Sequence, residues 1–280
     1  MMQPHHVTIA GGPLAVHTSG SGQPLVLLHG FPLDHSMWDR QAPLAEHFRL
    51  IAPDLRGFGG SVGTVPTGIE QLADDVAAVL AALHVTAPAV ICGLSMGGYV
   101  AQHLAVRHPD RVAALVLVDT KLEADTPEAR EARADLAAKV GRLGQAILAD
   151  AMIPRLLAAS AEARSAPDRV ENEAVLRRMI LAQPVAAIQA ALAALGSRPD
   201  MVEPLRHVLV PTLLVVGAED AITPPECLER AEEIIPCSRL LIVPQAGHMT
   251  PLEAPETFNA AVVEFLQHPP GKLLGAAERA

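Results

Sequence analysis

The segment with the clearest capacity for chemistry is Gly93-Leu94-Ser95-Met96-Gly97-Gly98. A serine with glycine two residues to either side, between an apolar strand-like run (Ala89 to Leu94) and a helical one (Met96 to Arg107), has the pattern of a nucleophile elbow. The chain turns there so sharply that the serine takes a strained backbone angle, and the residues two positions away must lack side chains. Ser95 is the expected nucleophile, and the N–H of Met96, at the start of a helix, is an expected oxyanion donor. A serine hydroxyl is a weak nucleophile and needs a base. Among twelve histidines, His248 lies in Gln245-Ala246-Gly247-His248-Met249, just past the last predicted strand. Sites of open α/β sheets gather at such strand ends. His5, His6, His35, His47, His84, His103, His108, His207 and His268 fall on predicted helices, termini or solvated loops and read as surface residues.

The orienting acid should follow an earlier strand. Asp220, in Gly217-Ala218-Glu219-Asp220 after the run Thr212 to Val216, is the choice; Glu219, one residue away, and Asp119, after Val112 to Val118, are its rivals. The order Ser95, Asp220, His248 is the order in which the partners of such an elbow follow one another. A second oxyanion donor is expected at the backbone N–H of Phe31 in Leu27-Leu28-His29-Gly30-Phe31-Pro32, where His29 reads as a pin for the loop rather than a base.

The elements that must position these residues are visible as alternating patterns. Val7 to Ala10 and Leu14 to Thr18 flank Gly11-Gly12 as a hairpin, and Pro24 to Leu28, Arg49 to Pro53, Ala89 to Leu94 and Val112 to Val118 are apolar runs of strand length. Between them, Ile69 to Leu83 and Met96 to Arg107 have helical spacing. This alternation implies an α/β fold, with a mainly parallel sheet flanked by helices. From Lys121 to about Pro204 no strand is evident; Ala, Leu and Arg at helical spacing, punctuated by Pro127, Pro154, Pro167, Pro184 and Pro199, predict an insertion of about four helices. The sheet resumes at Thr212 to Val216 and Arg239 to Val243, and a last helix is expected over about Pro255 to Gln267. The expected division is a core of residues 1–120 and 205–268, a helical insertion of residues 121–204, and a loose tail over residues 269–280.

Length and composition set the class. The 280 residues suffice for a self-stabilised core, and 50% hydrophobic against 19% charged residues describes a globular chain. With aromatics at 2%, aliphatic side chains must fill it. A formal charge of −10 argues against a nucleic-acid partner, which requires clustered Lys and Arg. Three cysteines without CxxC spacing require no disulfide. The expectations are a cytoplasmic protein with no signal peptide, no membrane partner, no organic cofactor and no metal, since the histidines lack metal-ligand spacing.

The fragments HGFP, SMWD, DLRGFGGS (Asp54 to Ser61), GLSMGGYV, GAEDAITPP and AGHMTPLEAPE together resemble the α/β-hydrolase superfamily over nearly the whole chain. The chain is most similar to the branch containing 3-oxoadipate enol-lactonases, cofactor-free haloperoxidases that act as esterases and perhydrolases, and carboxylesterases. HGFP is also similar to epoxide hydrolases, but Ser95 stands where those have an aspartate. The resemblance implies an eight-stranded sheet with a helical cap after the sixth strand. It also implies a serine hydrolase acting on a small to medium ester or lactone through an acyl-enzyme. A perhydrolase, a hydrolase of carbon–carbon bonds and a non-catalytic ligand receptor are the alternatives. The cap would set the substrate. Met152, Ile153, Leu156 and Leu157 form an aliphatic stripe there that also reads as packing against the sheet, and Arg130, Arg133, Arg142 and Arg155 are dispersed through the cap rather than gathered into a carboxylate site.

Overall fold

The chain, in a computed structural model that describes residues 2–270, folds around one eight-stranded sheet. The strands are β1 (Gln3–Ile9), β2 (Gly12–Ser19), β3 (Pro24–Leu28), β4 (Arg49–Pro53), β5 (Ala89–Leu94), β6 (Val112–Val118), β7 (Thr212–Gly217) and β8 (Ser238–Val243). Their spatial order is β1-β2-β4-β3-β5-β6-β7-β8. β2 runs antiparallel to both its neighbours, β1 and β4, and β3 to β8 pair in parallel. Every residue of β3, β5, β6 and β7 is buried, as their largely apolar sequences require in strands covered on both faces. The expected hairpin is longer than its apolar alternation. β1 begins at Gln3 and presents five exposed residues, so its pairing with β2 sets its length. Gly11 and Gly12 make the turn at φ values of 91° and 122°, which side-chain-bearing residues rarely adopt.

Helices α1 (Ile69–Ala82) and α2 (Met96–Arg107) pack together against this sheet. Residues His35–Glu46 form a 3-10 helix that buries Met37, Trp38 and Leu44. The tilted Trp38 and Phe258 rings lie 6.2 Å apart. Between β6 and β7 come α3 (Pro127–Leu143), α4 (Ala146–Leu156), α5 (Ala161–Arg164), α6 (Arg169–Ala182), α7 (Val185–Ser197) and α8 (Val202–Leu205): four long helices and two single turns. After β7 come α9 (Pro225–Ile234), α10 (Thr250–Glu253) and α11 (Pro255–Gln267). The expected tail lies, beyond residue 270, outside the described residues. Among these residues no single helix is long and apolar enough to cross a membrane. Cys92, Cys227 and Cys237 are free thiols.

Arg56 ties the front of the sheet together. Its guanidinium is buried, forks onto Asp75 of α1 at 2.6 and 2.7 Å, and donates to the carbonyls of Ala10 and Gly11 in the hairpin turn. A planar fork with five donors is suited to holding a carboxylate and a turn at once.

Candidate active site

Ser95 sits at the carboxyl end of β5, at φ 52° and ψ −111°. A side chain at Gly93 would lie 2.1 Å from the carbonyl oxygen of Gly97, and one at Gly97 would lie 2.2 Å from that of Leu28. The glycines are thus required by backbone approaching backbone. The elbow is anchored to β6. The N–H of Ser95 donates to Val118 O at 2.9 Å, and Thr120 Oγ1 donates to Ser95 O at 3.0 Å. Met96 opens α2, so no helical carbonyl precedes it to accept its N–H.

The loop after β3 crosses above this elbow. A Cβ on Gly30 would stand 2.8 Å from Leu94 Cδ2 and 3.6 Å from Ser95 Cβ, so glycine lets the chain come down close to the serine and carries the Phe31 backbone to it. His29 is fully buried, with Nδ1 2.9 Å from Gly30 O and Nε2 accepting from Leu55 N–H at 2.9 Å. Burial lowers its pKa, and the two contacts define a neutral ring with Nδ1 protonated. Both nitrogens are engaged in joining two loops.

Asp220 and His248 follow β7 and β8. His248 Nδ1 lies 2.8 Å from Asp220 Oδ2, with both side chains buried. The carboxylate also accepts from Ile222 N–H (2.7 Å), Thr223 N–H (3.0 Å) and Thr223 Oγ1 (2.9 Å). Burial opposes its charge, but His248 and these donors outweigh it and hold the Asp220 pKa below the usual range. Burial likewise opposes a charged His248, while the charge and hydrogen bond of Asp220, and the charge of Asp119, raise its pKa. With Nδ1–H given to the acid, Nε2 is the nitrogen left to accept a proton. Glu219, the neighbouring rival, turns away and accepts from the N–H groups of Ala159 and Ser160. Asp119 is buried beneath the pair. It accepts from Gly217 N–H and from both the N–H and hydroxyl of Thr250.

The helices between β6 and β7 are fastened over these loops by residues to which the sequence assigned no role. Glu253 accepts from Ala158 N–H and from Gly247 N–H, both at 2.8 Å. Gln183 is buried; it accepts from Gly59 N–H and donates to Asp34 Oδ2. Arg40 reaches Asp168 and Asn172 at the start of α6. A Cβ on Gly247 would lie 2.5 Å from Ala158 N, so the segment after α4 presses against the residue beside His248.

Some surface expectations are corrected. His103 is only 4% exposed, held inside by the buried face of α2. His35 is half-buried because Asp54, wholly buried, draws its Nδ1 to 2.8 Å. The α4 stripe buries Ile153 and Leu156 but packs chiefly against α6 rather than the sheet. His17, His35 and Asp54 bring three metal-ligand atoms together, the one such group among the described residues. The two imidazoles are stacked 3.3 Å apart at 7°, so their in-plane lone pairs run parallel and do not meet on one ion.

Residues 23–255 match the family described as alpha/beta hydrolase fold. The chain is 33% identical over 258 residues to the pimeloyl-[acyl-carrier protein] methyl ester esterase of Edwardsiella ictaluri, covering 89% of this chain and 95% of that protein. It is similar to a solved thermophilic esterase from Thermogutta terrifontis with malate bound. The identity is 40%, with 95% of this chain and 98% of that one covered at a TM-score of 0.87. It is also similar to the solved enol-lactonase of Burkholderia xenovorans LB400, at 28% identity, 94% and 100% coverage and a TM-score of 0.85.

Proposed function

We propose that this chain, which belongs to the alpha/beta hydrolase fold family and is a carboxylic ester hydrolase, works through Ser95, His248 and Asp220 by way of an acyl-enzyme. The observation that carries this reading is the buried 2.8 Å contact of His248 Nδ1 with Asp220, after the carboxyl ends of β7 and β8, on the same edge of the sheet as the strained Ser95 elbow at the carboxyl end of β5. His248 Nε2 takes the hydroxyl proton as Ser95 Oγ attacks the ester carbonyl carbon. The carbonyl electron pair moves onto oxygen, where the N–H groups of Phe31 and Met96 receive the charge. Collapse expels the alcohol, which leaves with the proton from His248. Water then attacks the acyl carbon, gives a proton to His248 and releases the carboxylic acid, while the Ser95 oxygen recovers its proton.

Residues 121–204 serve as a cap in this proposal. The backbone of Leu157 and Ala158 lies against Gly247, which sets this apolar segment of the cap beside the base and favours a small to medium, mostly apolar ester or lactone. A second reading is a methyl ester of an acyl chain carried on acyl-carrier protein, supported by similarity to such esterases along nine-tenths of the chain. One panel tests both: p-nitrophenyl acetate, butyrate and octanoate, a simple lactone, and pimeloyl-acyl-carrier-protein methyl ester, each with wild type and Ser95→Ala. Turnover of the free esters that disappears in the variant is expected. Turnover confined to the carrier-protein ester selects the second reading, and full activity of folded Ser95→Ala refutes both.

A further inference from the structure

We propose that Asp119 is a positioning residue of this site, clamping the loop of Asp220 to the loop of His248 and setting a second negative charge behind the base. The proposal rests on the Ser95–His248–Asp220 reading. Asp119 directly follows β6, the strand between those that lead to Ser95 and to Asp220. Its φ of 43° is left-handed, a conformation that costs a side-chain-bearing residue free energy and is held only where its surroundings impose it. The turn sends the carboxylate between two loops. Oδ1 accepts from Gly217 N–H at 2.9 Å, three residues before Asp220, and from Thr250 Oγ1 at 3.0 Å. Oδ2 accepts from Thr250 N–H at 3.1 Å, two residues after His248. One side chain therefore fixes the spacing between acid and base, while the following residue, Thr120, holds the Ser95 carbonyl.

Gly217 N–H and Thr250 N–H are aimed at different oxygens and neither can turn away, so the pocket requires two acceptor atoms, as an ionised carboxylate supplies and the amide of an asparagine does not. Asp119 has no exposed surface, and a carboxylate buried this fully is costly unless it interacts with a charge. The charged groups that bear on His248 are Asp220 and Asp119, which favour the imidazolium, and Arg155 of the cap, which opposes it. Burial and the charge of Asp220 push the Asp119 carboxyl up to about 7, while His248 and the Gly217 and Thr250 donors favour its ionised form. Proton transfer from Ser95 makes His248 cationic, so an ionised Asp119 stabilises the state in which catalysis occurs.

The test is Asp119→Asn, assayed on p-nitrophenyl butyrate across pH. Without the second charge, the acid limb of kcat/KM should move down by roughly one pH unit. The plateau kcat should fall about tenfold, with KM changed less than about twofold. A folded variant with the wild-type limb and plateau overturns the proposal. So does a reduced plateau with an unmoved limb, the mark of a purely structural role. If Asp119→Asn does not fold, Thr250→Val removes the hydroxyl half of the clamp and should lower kcat about tenfold, with Thr250→Ser recovering it. Thr250→Val at the wild-type rate refutes the clamp. Ser95→Ala separates the failures: activity in that variant overturns the triad reading itself, whereas an inactive Ser95→Ala beside an unmoved Asp119→Asn limb overturns only the role of Asp119.

Discussion

Replacing Asp220 by Asn should inactivate the enzyme while leaving its fold intact, for a reason fixed by the donors around that side chain. Oδ1 accepts two backbone N–H groups, from Ile222 at 2.7 Å and Thr223 at 3.0 Å. Neither can turn away, so the amide oxygen of Asn must occupy that position. The NH2 group is then forced into the place of Oδ2, facing His248 Nδ1 at 2.8 Å and Thr223 Oγ1 at 2.9 Å. The hydroxyl rotates and becomes an acceptor. The imidazole can accept only by leaving Nδ1 bare and carrying its proton on Nε2, the nitrogen that deprotonates Ser95 in the proposed mechanism. A wrong tautomer of this kind costs about 10⁴-fold in kcat in serine triads, or about 5 kcal/mol of barrier. Steady-state hydrolysis of p-nitrophenyl butyrate measures the loss, and ¹⁵N shifts of the His248 ring report the tautomer. A variant within tenfold of wild type, or a ring still protonated on Nδ1, refutes this reasoning.

The wild-type acid limb of kcat/KM should have its midpoint above the ordinary histidine value of 6.5, because the pKa of His248 is raised; activity is then lost as pH falls through that midpoint, and a midpoint below 6.5 contradicts the assignment. Arg56→Met leaves Asp75 buried and unpaired and should cost about 3–5 kcal/mol in chemical denaturation, much of it recovered in Arg56→Met/Asp75→Leu. Equal destabilisation in the double variant would show that the fork's bonds to Ala10 and Gly11 matter more than the charge pair. Gly97→Ala drives a Cβ to 2.2 Å from Leu28 O and should destabilise by about 3 kcal/mol, or fail to accumulate as folded protein; a wild-type melting temperature would contradict the close approach.

The candidate site was legible in the sequence where chemistry coincides with local pattern. GLSMGG carries its own geometry, because glycines at fixed offsets serve one tight turn, and the buried parallel strands announce themselves as apolar runs. Elements with thin apolar stripes were not legible. α9 buries only Leu228 and Ala231, too few for a period, and Pro43 interrupts the 3-10 helix at His35–Glu46. The partners of Glu219, Glu253, Gln183 and Asp119 lie from about six to more than a hundred residues away, mostly on backbone N–H groups that carry no sequence signature. His17 and His35 stack where the pairing of β2 with β4 brings His17 beside Asp54, whose carboxylate contacts both rings, a relation that spacing along the chain does not express.

The central claim is that Ser95 is acylated during turnover. Wild type mixed with a bulky, slowly released p-nitrophenyl ester, quenched in acid and mapped by peptide mass spectrometry, should carry one acyl group on the peptide containing Ser95. Formation should keep pace with the burst of p-nitrophenol, and Ser95→Ala should show neither. Turnover without an adduct under these conditions, or an adduct on another residue that forms at the burst rate, would contradict the account.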